Sequence, residues 1–121
     1  MYINGTWATE PTQSSFEIFN PATGAVIQSL PDGGREASKS AIDAAAEALL
    51  SWRTTTPYQR AEFLMRAHTL MLDHQEDLAK VMTSEQGKPL RAAMTEVKYA
   101  ADFLIWFAEE GKRLYGDTIP A

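Results

Sequence analysis

The stretch PLRAAMTEVKYAADFLIWFAEEGKRLY, residues 89–115, decides how this chain folds. Small and apolar residues recur along it at intervals of three and four, which is the period of one face of an α-helix. The spacing predicts one long helix from about Pro89 to Tyr115. Its main stripe consists of Leu90, Ala93, Met94, Val97, Ala101, Leu104, Ala108 and Gly111.

The middle of this stretch, YAADFLIWFA at residues 99–108, is apolar on its other sides as well. A helix that is apolar on most sides needs neighbours on most sides. The other elements of a 121-residue chain can cover only part of it. We therefore expect residues 1–121 to be an incomplete domain whose main partner is the remainder of the same polypeptide. The charges near its end predict a Glu109–Arg113 ion pair at i, i+4.

The segment TSEQGKPL, residues 83–90, predicts a break between this helix and the one before it. Gly87 suits the residue after a helix, and Pro89 suits the first turn of the next. The preceding helix begins near Gln75, and its stripe Leu78, Val81 and Met82 continues to Glu85. A carboxylate on that inward side needs a partner, because an isolated buried charge costs several kcal/mol. The alternative is a helix end at which Glu85 reaches solvent.

Upstream, TPYQ at residues 56–59 has the pattern of a capping box with proline in the first turn. The helix it begins carries His68 on its apolar side, which favours a half-buried, hydrogen-bonded histidine over a metal ligand. A further helix is predicted by the spacing of Ala41, Ala45, Ala48, Leu49 and Trp52. Asn4-Gly5 and the NPATG turn at residues 20–24 predict two hairpins. The predicted fold is mostly α, with small antiparallel β hairpins in residues 1–31 and four helices in residues 35–116.

The composition excludes several classes of protein. The chain is 45% hydrophobic and 22% charged, with a net charge of −5. That acidic balance disfavours nucleic acid and anionic membrane surfaces as partners. The absence of cysteine favours a cytoplasmic protein over a disulfide scaffold. No GxGxxG or P-loop pattern is present, so the spacing of residues alone identifies no catalytic or phosphate-binding site.

Longer segments, taken in order, resemble a known family. They are INGTW, FEIFNPATGAVI, SWRTTTPYQRAEFLMR, LMLDHQEDLAKVMTSEQGKPL and EVKYAADFLIWFAEEGKRLYGDTIP. Together they are similar to the amino-terminal quarter of an aldehyde dehydrogenase, the first part of its cofactor-binding domain. WFAEEGKRLYGDTIP, residues 106–120, is similar to the succinate-semialdehyde dehydrogenase branch. The resemblance implies a full-length homo-oligomeric enzyme that oxidises a small aldehyde with NAD or NADP.

The resemblance also implies which site residues this chain holds. The family's catalytic asparagine, glutamate and cysteine have no counterpart in residues 1–121, so no catalytic residue is assigned. The helix matched by EVKYAADFLIWF lines the family's aldehyde tunnel, which makes Tyr99 and Phe103 candidates for the tunnel wall, with plain packing as the alternative. Many members also hold a monovalent cation, and the matching positions are the carbonyls of Ile18 and Phe19 and the carboxylate of Glu85.

Two other functions stay open. The first is a stand-alone helical protein that acts through self-association or interaction with a partner, using the apolar helix. The second is a different branch of the family that acts on another semialdehyde or on betaine aldehyde.

Overall fold

A computed structural model describes residues 1–7 and 14–116 of the chain. Four short strands precede four helices: β1 Tyr2–Ile3, β2 Thr6–Trp7, β3 Ser15–Phe19, β4 Val26–Pro31, α1 Gly34–Trp52, α2 Pro57–Asp73, α3 Gln75–Gln86 and α4 Leu90–Glu110. A 3₁₀ turn, Gly111–Arg113, follows α4. The predicted fold class, mostly α with small antiparallel hairpins, is confirmed. No helix in the described ranges has the length and hydropathy needed to span a bilayer.

The two hairpins form where the turn residues predicted them. Asn4 and Gly5 have φ of 49° and 78°, the left-handed values that a two-residue primed turn requires. They connect β1 to β2 with Tyr2 opposite Trp7. In the second hairpin, β3 pairs antiparallel with β4. Its turn is fixed by Asn20, whose side-chain Oδ1 accepts from the Ala22 amide at 2.9 Å.

The described chain divides into two compact units, and each is described by itself. The first unit comprises Met1–Thr54 together with Ser84–Gly87, and so contains both hairpins and α1. The second comprises Thr55–Thr83 and Lys88–Ala121, with α2, most of α3, and α4.

In the second unit, the predicted capping box starts α2. The Gln59 amide donates to the Thr56 hydroxyl at 3.2 Å, and the Thr56 amide donates to Gln59 Oε1 at 2.8 Å. Pro57 occupies the first turn, where a missing N–H is tolerated. The hydrogen bonds that begin α2 are therefore local in sequence.

The core of the second unit is built from small side chains. The fully buried residues are Ala61, Ala79, Ala93, Val97, Ala101 and Ala108. Four of the six lie on α4, on the stripe that the sequence predicted. Small side chains let the helices approach closely, but each one removes little apolar area from water. Among the described residues, no large side chain is fully buried.

The predicted inward position of Glu85 on α3 is wrong. The structure buries Ala79 and half-buries Met82 and Thr83, whereas Glu85 is exposed. Leu78 and Val81, which the prediction placed on the same inward stripe, are 40% and 55% exposed. Since α3 has apolar residues on more than one side, the periodicity of a 12-residue helix did not define which side packs.

The end of α4 also differs from the prediction. The helix stops at Glu110 and tightens into a 3₁₀ turn instead of continuing to Tyr115. In a 3₁₀ turn, residues three apart eclipse one another. Lys112 therefore pairs with Glu109 at 2.8 Å and Arg113 with Glu110 at 3.0 Å, and the predicted Glu109–Arg113 pair does not form.

Candidate functional site

An aromatic face on α4 is the best-defined candidate site in the second unit. Tyr99, Phe103 and Phe107 follow one another at intervals of four, so they stack along one side of the helix. The Tyr99 and Phe103 rings meet edge to face with centroids 4.9 Å apart. The Phe103 and Phe107 rings are nearly parallel at 6.3 Å. We refer to Tyr99, Phe103, Trp106 and Phe107 as the aromatic face.

The aromatic face is open in the described chain. Tyr99 and Trp106 are each 62% exposed. Together with Asp102, the four rings line a shallow concavity of about 250 Å³. This is close to the lower end of the range of small-molecule pockets, which are mostly apolar and lined by aromatic residues. The sequence named Tyr99 and Phe103, and it missed that Phe107 continues the same row although the interval of four predicted it.

The residues that line this concavity can contact a ligand but carry no group suited to react with it. Asp102 is the one titratable side chain among the five lining residues besides the Tyr99 phenol, and Lys98 holds its carboxylate in an ion pair of 2.8 Å. None of the five is a thiol, hydroxymethyl or imidazole group that would serve as nucleophile or base. The face can therefore contact and orient the apolar part of a small ligand without taking part in bond making.

The residues predicted to hold a cation, Ile18, Phe19 and Glu85, all fall in the first unit. The ladder between β3 and β4 has an irregularity between Ile18 and Phe19. Such an irregularity re-aims the backbone groups on the bulged strand. The strand then enters the Asn20 turn, in which the Gly24 amide donates to the Asn20 carbonyl at 2.8 Å.

The break after α3 lies directly against that turn. Gly87 has φ of 71°, and a Cβ built on it would lie 3.0 Å from Cγ of Pro21. A side chain here would be strained and would press on the proline ring, so glycine permits both the break and the close approach. The fold thus brings the Glu85 segment and the Ile18 segment into one unit although they lie far apart in the sequence.

The ligand set at this junction is incomplete within the described chain. Glu85 points to solvent instead of inward. Across residues 1–7 and 14–116, no three His, Cys, Asp or Glu side chains cluster closely enough to hold a metal ion. A cation here would depend on backbone carbonyls and one carboxylate, which are oxygen ligands that hard cations accept.

Comparison with known proteins defines the class. Residues 7–121 match the aldehyde dehydrogenase family, and the chain belongs to that family. It is 50% identical over 118 residues to the NADP(+) succinate-semialdehyde dehydrogenase GabD of Escherichia coli strain K12, covering 98% of this chain and 24% of the relative. It is 50% identical over 119 residues to glutarate-semialdehyde dehydrogenase of Pseudomonas putida, covering 98% of this chain and 25% of the relative.

A solved structure gives the same result for the fold. The crystal structure of an E. coli NADP-dependent enzyme superposes with a TM-score of 0.92 at 50% identity, over 98% of this chain and 25% of that one. Other relatives, at 44% and 45% identity, are named for 3-sulfolactaldehyde in P. putida and aspartate semialdehyde in Halomonas elongata. The chain spans about a quarter of the length of the relatives it matches.

Proposed function

We propose that this chain is the amino-terminal quarter of an NAD(P)-dependent aldehyde dehydrogenase that oxidises succinate semialdehyde to succinate. The observation that carries the proposal is the 50% identity to GabD over 98% of the chain. The relatives named above act on succinate, glutarate and aspartate semialdehydes and on 3-sulfolactaldehyde. These are short aldehydes with an acidic group at the far end, so we propose that substrate class and place succinate semialdehyde first.

In this proposal, Tyr99 and Phe103 form part of the wall along which the aldehyde enters. Support comes from their exposure, their edge-to-face contact and the concavity beside them. An apolar wall excludes water and favours the short methylene chain of the substrate. The acidic end of the aldehyde would be bound by residues outside the aromatic face, since Asp102 would repel it.

The dinucleotide does not fit the residues present. NAD or NADP accepts the hydride in this class of reaction, and its phosphates need a glycine-rich loop or an equivalent set of backbone amides. No GxGxxG pattern occurs in the 121 residues. We therefore assign no residue of this chain to the cofactor. We further propose that the complete polypeptide is a cytoplasmic homo-oligomer.

The test is to read the gene beyond codon 121, purify the complete polypeptide and measure reduction of NAD and NADP with a panel of aldehydes. We expect the highest kcat/KM for succinate semialdehyde, with glutarate semialdehyde next because one extra methylene changes binding by about 1–3 kcal/mol. Preference for betaine aldehyde would place the enzyme in another branch. A stop codon directly after Ala121 would favour the stand-alone interaction protein instead.

We also propose that Glu85 and the carbonyls of Ile18 and Phe19 help to hold a monovalent cation in the complete enzyme. The support is the contact of Gly87 with Pro21 and the irregularity of β3 at Ile18 and Phe19. Because Glu85 is exposed, direct contact requires its side chain to turn toward the strand, and a bridging water is the other route.

The cation proposal predicts a specific loss in Glu85→Gln. A cation at ten times its dissociation constant stabilises the folded state by about 1.4 kcal/mol. Melting of the complete wild-type enzyme should therefore rise when potassium replaces a bulky organic cation, and Glu85→Gln should lose most of that rise. Glu47→Gln, an exposed carboxylate on α1, is the matched control and should keep it. An equal response of wild type and Glu85→Gln would exclude Glu85 as a ligand.

A further inference from the structure

Two side-chain hydrogen bonds connect α2 and α3 to the backbone of α4. His68 Nδ1 lies 3.0 Å from the carbonyl oxygen of Ala101. Gln75 Nε2 donates to the carbonyl oxygen of Met94 at 2.9 Å. Both bonds are partly buried, and all four residues belong to the second unit.

The spacing of these bonds is matched on the two sides. His68 and Gln75 are seven residues apart, and so are Met94 and Ala101, with the two chains running in opposite directions. Seven residues are about two turns of α4, so the two acceptor carbonyls lie on the same side of that helix. Their donors belong to α2 and to the first residue of α3, and we call the two bonds the carbonyl ladder.

The chemistry of the first bond fixes the imidazole. A carbonyl oxygen only accepts, so Nδ1 of His68 must carry the proton. The Ala101 carbonyl lies inside α4, where it accepts from the helix and has a second lone pair free for the imidazole.

The core beside the ladder explains why such bonds matter. Small residues recur on α4 at intervals of four, at Ala93, Val97 and Ala101. Small side chains define the axial position of α4 weakly, because a shift of part of a turn changes little apolar area. Two directional hydrogen bonds resist such a shift, because a displacement of about 1 Å takes donor and acceptor out of bonding distance. The two bonds therefore hold the axial position of α4, which we call its register.

We propose that His68 and Gln75 are positioning residues that set the register of α4 and so place the aromatic face. Ala101 lies between Tyr99 and Phe103 in the sequence, so a bond to its carbonyl fixes the axial position of both rings. This inference rests on the proposed function only where it concerns the aldehyde. The register itself is a property of the second unit.

The experiment compares His68→Leu with His68→Asn in the complete enzyme. Leucine keeps the bulk and removes the donor, whereas the asparagine amide nitrogen occupies about the position of Nδ1. One hydrogen bond corresponds to about a fivefold effect. We expect His68→Leu to raise KM for succinate semialdehyde about fivefold, with kcat within about twofold, and His68→Asn to stay near wild type. His74→Leu, at an exposed histidine, is the control and should change neither.

The double variant His68→Leu/Gln75→Leu tests whether the two bonds act on one register. The bond that remains in each single variant limits how far α4 can move, so the rise in KM for the double variant should exceed the product of the two single rises. A rise equal to that product would show two independent contacts and overturn the ladder. Equal rises in KM for His68→Leu and His68→Asn would also overturn the ladder, because the effect would then not depend on the hydrogen-bond donor.

Two measurements separate this inference from the proposed function. The melting temperature of His68→Leu should lie below that of His68→Asn, and that of His68→Asn should be close to wild type. This order should hold whether or not the enzyme accepts the aldehyde. Nitrogen NMR should show His68 protonated at Nδ1, and an Nε2-protonated neutral ring would refute the ladder. A lowered melting temperature with unchanged KM would overturn the positioning role alone. Absence of aldehyde oxidation in the wild-type enzyme would refute the proposed function. Thermal melting and nitrogen NMR would still test whether the two bonds hold α4.

Discussion

The purified 121-residue chain is expected to reduce neither NAD nor NADP when succinate semialdehyde is supplied. Oxidation of an aldehyde in this family is expected to need a cysteine nucleophile, and the sequence contains no cysteine. It also lacks a glycine-rich dinucleotide loop. Loss of a nucleophile in an enzyme that depends on it lowers kcat by about 10⁶, which puts the expected rate below detection.

The assay for this prediction follows the absorbance of the reduced nicotinamide in a preparation cleared of host dehydrogenases. The complete polypeptide, assayed at the same molar concentration, is the positive control. A no-protein sample and a sample without aldehyde supply the blanks. Turnover of succinate semialdehyde by the 121-residue chain above these blanks would contradict the prediction and require a nucleophile other than cysteine.

The local elements of this fold were predictable because short-range chemistry determines them. Asn4-Gly5 adopts the left-handed turn that its sequence favours, and Thr56 forms the capping box expected of TPYQ. Gly87 takes positive φ at the predicted break. In the first two cases the deciding groups lie within a few residues of one another. At Gly87 the positive φ is a local requirement, to which the close approach of Pro21 adds a second.

The wrong predictions concern positions whose structure depends on more than the local periodicity of the sequence. The spacing of Leu78 and Val81 predicts that Glu85 lies on the buried side of α3, yet the buried residue is Ala79. A small residue gives a weak periodic signal although it permits the closest helix contact. The Glu109–Arg113 pair failed for a different reason, since the helix changes to a 3₁₀ turn at Gly111.

The candidate site was predictable only in part. The row Tyr99, Phe103 and Phe107 follows from an interval of four, and the structure places the rings in contact as that interval requires. The Gln75 bond to Met94 was not found, because glutamine at a helix start suggests a local role and its acceptor lies 19 residues away. Whether Tyr99 and Phe103 line a tunnel stays a prediction that the panel of aldehydes tests.

The second large effect is expected in solution behaviour: the isolated 121-residue chain should self-associate or melt without cooperativity. Its buried residues in the described ranges are five alanines and one valine. Meanwhile Tyr99, Phe103, Trp106 and Phe107 remain 62%, 44%, 62% and 57% exposed on one helix. An apolar face of this kind on a monomer normally marks a surface that another chain segment covers. Without that segment, a second copy of the chain is the available cover.

Sedimentation velocity over a range of concentrations measures this association, and Trp106→Lys tests which surface causes it. A central tryptophan in an interface commonly contributes 2 kcal/mol or more, so the substitution should raise the dissociation constant by about tenfold or more. Ile42→Lys is the control, because it adds the same charge at a similarly exposed apolar position, 68%, on α1. Equal weakening by both variants would mean that charge, and not the aromatic face, governs association. A concentration-independent monomer with a sharp two-state melt would contradict the prediction, because it would show that a core of alanines suffices to hold the chain with its aromatic face in water.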